Sequence, residues 1–222
     1  MPALAFHRQP PLQLGWFATV PGLRVLHAES GPITRLLAAR PAQPVLWLRP
    51  AAIDDTPPPA RGLRLHREGA GFGGALRMHA PWPLPSESFG CVIWQHVSDD
   101  GSDPASWLEE CARVLMPGGM LWLSALNPWS PYRARWRGQG LQATDIAGWR
   151  GRARQSGLHV APDGTGWNGP AWRDAAGYGR LCAAWSLQAE KRSLPLTPIM
   201  PARARRLQPA LGQATPSHRI AA

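Results

Sequence analysis

At 222 residues the chain suits a single domain with an adequate core, and a hydrophobic share of 44% is ordinary for a globular protein. No apolar run reaches a membrane span and the N-terminus lacks a charged-then-apolar leader, so the expected location is the cytoplasm. The net charge is +10, nearly all of it arginine, since Lys191 is the only lysine; such charge attracts RNA or acidic membranes without identifying a binding fold.

Residues 1–11 are proline-punctuated and expected to be loose. Residues 12–28 form an apolar lead-in broken at Pro21-Gly22, and residues 33–40 a short helix after Gly31-Pro32, with Ile33, Leu36 and Leu37 on one face. Val45-Leu46-Trp47-Leu48 is the first strand. Arg49-Pro50-Ala51-Ala52 follows it without a glycine, and Pro57-Pro58-Pro59 forbids a sustained helix beyond. Leu63-Arg64-Leu65-His66 alternates as a strand near a sheet edge, Gly69 to Gly74 reads as a flexible connection, and residues 75–79 as another short strand.

Residues 83–129 organise the rest. Cys91-Val92-Ile93-Trp94 suits a central strand covered on both faces. Asp103 and Pro104 open a helix with Trp107, Leu108, Cys111, Val114 and Leu115 on one side. Pro117-Gly118-Gly119 stops it, and residues 120–126 return to strand character. This is one βαβ unit of an open α/β sheet. Further on, residues 143–156 form a helix capped by Thr144, and His159-Val160 begins an edge strand. Residues 164–170 are a turn-rich loop, 172–180 weakly helical, and 181–188 the last strand.

This stretch also carries a resemblance. PLPSESF before a strand, RVLMPGG after a helix and NPWS after the next strand resemble the second half of a class I S-adenosylmethionine-dependent methyltransferase. WFATVPGLRVLHAE near the start and KRSLPLTPIMPARARR near the end are similar to flanking segments of a bacterial, type 11-like branch, extending the likeness over residues 14–206. The resemblance implies a Rossmann-like, mostly parallel α/β sheet with a C-terminal antiparallel strand. It divides the chain into a methyltransferase-like domain, 1–193, and a basic tail, 194–222.

The resemblance also implies a donor, S-adenosyl-L-methionine, and an acceptor, expected to be a small molecule. The donor positions fall at Leu48 and Arg49, where the family has a glycine-rich turn; at Glu68, in place of the acid that grips the ribose; and at Met78 and His79, where an adenine-contacting aspartate is usual. Gln95 and His96 lie at a strand's carboxyl edge, where ligands of open α/β sheets bind. His96 reads either as a general base or as a hydrogen-bonding loop residue. On its residues alone Glu68 reads first as a solvated carboxylate beside Arg67. Asn127 and Trp129 border the acceptor pocket in this reading, or form an Asx-type turn with a packed indole. Because the glycine turn is replaced, a non-catalytic binding or scaffold module is the alternative, associated with RNA through its arginine-rich surface. The three cysteines read as buried free thiols, and no metal-ligand spacing is present.

Overall fold

A computed structural model describes residues 13–55, 57, 59–171 and 179–192. Inside its sheet lies β1 (Val45–Arg49), whose five residues are all buried. It pairs in parallel with β2 (Gly62–Glu68) on one side and β4 (Phe89–Gln95) on the other. With β3 (Gly71–Gly74), β5 (Leu115–Leu126), β6 (His159–Asn168) and β7 (Ala184–Glu190) the sheet runs in the order β3-β2-β1-β4-β5-β7-β6. β4 and β5 are parallel, while β7 is antiparallel to β5 and β6 to β7. The mostly parallel sheet with an antiparallel C-terminal end is the expected fold class.

The strands' alternation divides the core. Val45, Trp47, Cys91, Ile93 and Trp122 face α1 (Val20–Ala38), meeting Ile33, Leu36 and Leu37. Leu46, Leu48, Val92, Trp94, Leu121 and Leu123 face the other way. They meet Trp107, Leu108 and Cys111 of α2 (Ala105–Val114) and Trp149 and Ala153 of α3 (Ile146–Gln155). A central strand with both faces covered must be apolar throughout, which explains the short hydrophobic runs at β1 and β4.

Several local expectations are corrected. The apolar lead-in and the short helix are one helix, α1: Pro21 sits in its first turn, where its missing N–H is harmless, and Pro32 lies inside it. The buried face of Val25, Leu26, Glu29 and Ile33 outweighs the interior proline. Pro117-Gly118-Gly119 does not separate helix from strand but lies within β5, which begins at Leu115; a register shift against β4 and the positive φ of Gly118 (74°) absorb it. The glycine run 71–74 is a strand that pairs back onto β2 as a hairpin, and Met78 makes only an isolated bridge to Phe72. β6 continues through the expected loop to Asn168, again with a register shift, and Asp145, not Thr144, caps α3 by accepting from the Gly148 amide. The helix expected over 172–180 falls largely, and the basic tail 194–222 wholly, outside the described residues.

The 3-10 segment Gln13–Ala18 lies against the start of α1. A Cβ on Gly22 would meet the Trp16 carbonyl oxygen and the Phe17 Cα. Gly22→Ala is therefore expected to lower stability by about 1–3 kcal/mol, as overpacking does. Chemical denaturation of both proteins checks this, with an unchanged midpoint refuting the close approach.

Candidate functional site at the carboxyl edge of the sheet

The carboxyl ends of β1, β4 and β5 carry polar side chains where the strands' apolar runs stop: Arg49, then Gln95 and His96, then Ser124. α1 lays Glu29 across them. Four residues after Val25 and four before Ile33, Glu29 falls on the buried face of the helix and is fully enclosed.

Glu29 Oε1 lies 2.9 Å from His96 Nε2, and Asp99 Oδ2 lies 2.7 Å from His96 Nδ1. Glu29 Oε2 accepts from Gln95 Nε2 at 2.9 Å and from Ser124 Oγ at 3.2 Å. Gln95 Oε1 accepts from Trp47 Nε1 at 3.1 Å, and Asp99 Oδ2 also accepts from the Leu126 amide at 3.0 Å. Phe17 lies over the imidazole with centroids 4.5 Å apart, and none of His96 is exposed.

Burial opposes charging of His96, but the facing Glu29 and Asp99 carboxylates outweigh it and push its pKa up to about 10. Burial raises the Asp99 carboxyl despite the hydrogen bonds from His96 and the Leu126 amide. A protonated imidazole donates from both nitrogens, which matches two carboxylate partners. His96 adopts φ 53°, a conformation uncommon for a residue with a side chain, and its two bonds hold it there. The cluster binds α1, β4, β5 and the loop after β4 into one piece. Enclosed on every side, its imidazole has no face open to a ligand.

Beside the cluster, a cleft of about 370 Å³ opens between residues 13–15, the turn 50–52 after β1, the end of β2 at Arg67 and Gly69, and Asp100. Arg67 Nη2 pairs with Asp100 Oδ2 at 2.8 Å, and its guanidinium lies 4.4 Å from the Trp107 ring centroid. Burial alone would raise the Asp100 carboxyl, yet hydrogen bonds from Ser102 and Arg67 hold it below the usual carboxylate range.

Arg49 does not enter this cleft as a free cation. Its guanidinium binds Asp55 through both carboxylate oxygens, at 2.6 and 3.0 Å, and donates to the Ile53 carbonyl at 2.8 Å. A bidentate pair thus shapes the turn after β1, where the family resemblance implied glycine.

The remaining candidates are scattered. Leu48 and Met78 are buried in the core on the α2 side. Glu68 is partly exposed and pairs with Arg77 at 3.1 Å, while His79 is exposed beside Gly71. Asn127 Nδ2 donates to the carbonyls of Arg180 (2.7 Å) and Cys182 (2.9 Å), and its Oδ1 accepts the Trp129 amide (3.1 Å). Asn127 is thereby the hub of an Asx-type turn, and Trp129 stands outside it, 79% exposed. The structure brings Gln95 and His96 together and adds Glu29 and Asp99. Spacing along α1 was the available signal for Glu29.

The three cysteines are free and buried, and burial pushes the Cys91 thiol up to about 12. Among the described residues no group of His, Cys, Asp and Glu could hold a metal ion, and no helix is long and apolar enough to cross a membrane.

Residues 42–123 match the methyltransferase domain family, which contains β1, β2, β4, α2 and most of β5. The sheet has the class I methyltransferase fold, and the family match covers the part of it from β1 into β5. Ubiquinone biosynthesis O-methyltransferases of Xanthomonas campestris pv. campestris (strain B100) and Xanthomonas euvesicatoria pv. vesicatoria (strain 85-10) are each 31% identical over 132 residues. These matches cover 57% of this chain and 54% of each relative, so the chain spans about half the length of the curated relatives it matches. A chain from the complex of the Haloferax volcanii Trm112 methyltransferase activator with a methyltransferase shares the fold at TM-score 0.52 and 18% identity, covering 81% of this chain and 96% of that one. The YcgJ protein of Bacillus subtilis does so at TM-score 0.51 and 15% identity, covering 75% and 99%. Against the methyltransferase domain's expected plan, the crossover 50–61 has no helix among its described residues and β3 is antiparallel to β2.

Proposed function

We propose that the chain is an S-adenosylmethionine-dependent methyltransferase-like protein that transfers a methyl group to a small-molecule acceptor at the carboxyl edge of its sheet. The observation that carries this reading is the cleft between the turn after β1, the end of β2 and the loop after β4. It lies where open α/β sheets take ligands, and about 370 Å³ is within the range of small-ligand sites. Added Cβ atoms on Gly15 and Gly69 at its walls would meet nothing within 4 Å, so there is room for a nucleoside-sized group.

The donor fits this cleft in size and place. The main chain of residues 50–52, Arg67 and Asp100 would hold it. When bound, the donor supplies an electrophilic methyl group on a sulfonium. The protein's own contribution is positioning and exclusion of water, which methyl displacement chiefly needs. His96, sealed beneath Phe17, keeps the edge rigid and exchanges no proton with an acceptor. On the acceptor side Trp129 is the exposed contact, and Asn127 sets the turn that presents it.

A second reading, a methyltransferase fold kept as a non-catalytic module, is favoured by the Arg49–Asp55 pair in place of the glycine turn and by the Arg67–Asp100 pair across the cleft. Titration calorimetry of the purified chain with S-adenosylmethionine and S-adenosylhomocysteine separates the two. The methyltransferase reading expects both to bind, and Arg67→Gln to weaken binding by roughly tenfold, the scale of one charge-assisted bond. No heat and no thermal shift at millimolar ligand leaves the non-catalytic module.

A further inference from the structure

Among the described residues, the large hydrophobic side chains that stand exposed are Val20, Trp129 and Leu181, at 67%, 79% and 50%. They are far apart in sequence but adjoin one segment. The Tyr132 hydroxyl donates to the Pro21 carbonyl at 3.1 Å, next to Val20, and Ser130 Oγ donates to the Leu181 carbonyl at 2.9 Å, next to Trp129. Between them the 3-10 turn Pro131–Arg135 buries Tyr132, with Trp136 buried behind it, and turns Arg133, Arg135 and Arg137 outward; Arg180 is exposed beside Leu181. Neither 127–137 nor 179–183 contains an Asp or Glu, and among the described residues these arginines make no ion pair.

We infer that this strip, at the carboxyl edge of β5, docks the protein on an anionic lipid bilayer. The charge complementarity is direct: among the described residues four guanidiniums stand exposed without an ion pair, and residues 127–137 and 179–183 bring no carboxylate to oppose them. The apolar members choose between polyanions. A tryptophan flanked by aliphatic side chains and arginines suits the boundary of headgroup and acyl chain, with the indole at the interface and the aliphatic groups below it. Val20 and Leu181 find no counterpart on a phosphodiester backbone, and one projecting indole without a groove is not a stacking track for bases. The inference stands apart from donor binding.

The test is sedimentation of the whole chain with large unilamellar vesicles of phosphatidylcholine alone or mixed with phosphatidylglycerol. Binding is expected on the mixed vesicles and much less on phosphatidylcholine. Trp129→Ser should lower the partition coefficient about tenfold or more, as removal of a buried ring does. Each of Arg133→Gln and Arg180→Gln should lower it about fivefold. Trp129 is exposed and donates to Asn127 Oδ1 from its main-chain N–H, which a serine keeps, so an unchanged thermal midpoint will accompany these losses. Equal partitioning of wild type and a Trp129→Ser, Leu181→Ser double variant overturns the inference, because binding would then come from the basic tail alone. Trp129-dependent binding of a single-stranded oligonucleotide, with vesicles ignored, overturns it in favour of nucleic acid.

Discussion

Glu29→Ala is expected to lower stability by about 3–5 kcal/mol, the largest effect of any single change on the cluster. The substitution leaves the His96 imidazolium with one partner instead of two, and strips Gln95 and Ser124 of their acceptor inside a fully enclosed site. Glu29→Gln should cost less, because an amide keeps the size of the group and can still accept from one neighbour. Urea denaturation of the three proteins checks the ranking. Equal midpoints for wild type and Glu29→Ala would show that the carboxylate is not enclosed in solution.

Stability should also fall as pH rises, the reverse of the usual carboxylate-driven trend. His96 has its pKa raised from 6.5 to about 10 on folding, so the stabilisation is complete below the unfolded value and is lost as pH approaches the folded one. Across this window the native state holds a proton that the unfolded chain has released, and the slope is about 1.4 kcal/mol per pH unit. The raised Asp99 carboxyl acts in the same direction, starting lower in pH. Cys91 and Cys111, both raised by burial, join only at pH above their ordinary value of 9.0. Denaturation midpoints between about pH 7 and pH 9 should therefore decline in wild type. The decline should flatten in His96→Gln, whatever that variant's absolute stability; parallel curves would remove His96 as the cause.

The sequence was most legible where one physical requirement dominated. β1 and β4 must be apolar on both faces, and α2 must be apolar on one; each pattern is plain in Leu46, Val92, Ile93, Trp107 and Cys111. Glycine and proline misled where tertiary pairing overruled local preference. Pro32 is carried inside α1 by its buried face, and Gly118 and Gly119 are carried inside β5 by pairing to Lys191. Gly71 and Gly73 are held in a strand by pairing with β2, at positions where bulkier residues would strike the Met78 carbonyl and the Glu68 carboxylate.

The site was legible in position and less so in partners. Gln95 and His96 were identified by the edge they end on. Glu29 escaped because an acid on an amphipathic helix reads as solvated, and only its spacing from Val25 and Ile33 marks it as enclosed. Arg49 was legible as a departure from glycine. That it would be neutralised by Asp55, six residues on, depends on a turn that no periodicity encodes.

The position of Glu29 sets the smallest piece of this chain able to fold. The methyltransferase match begins at residue 42, yet the counterion of His96 comes from α1, and the ring that seals it, Phe17, comes from the segment before α1. A fragment cut to the matched boundaries would carry an imidazole and Asp99 in an opened cavity and expose Trp47, Ile93 and Trp122 to water. The recognisable unit and the folding unit are different lengths of polypeptide, and the N-terminal helix belongs to the second.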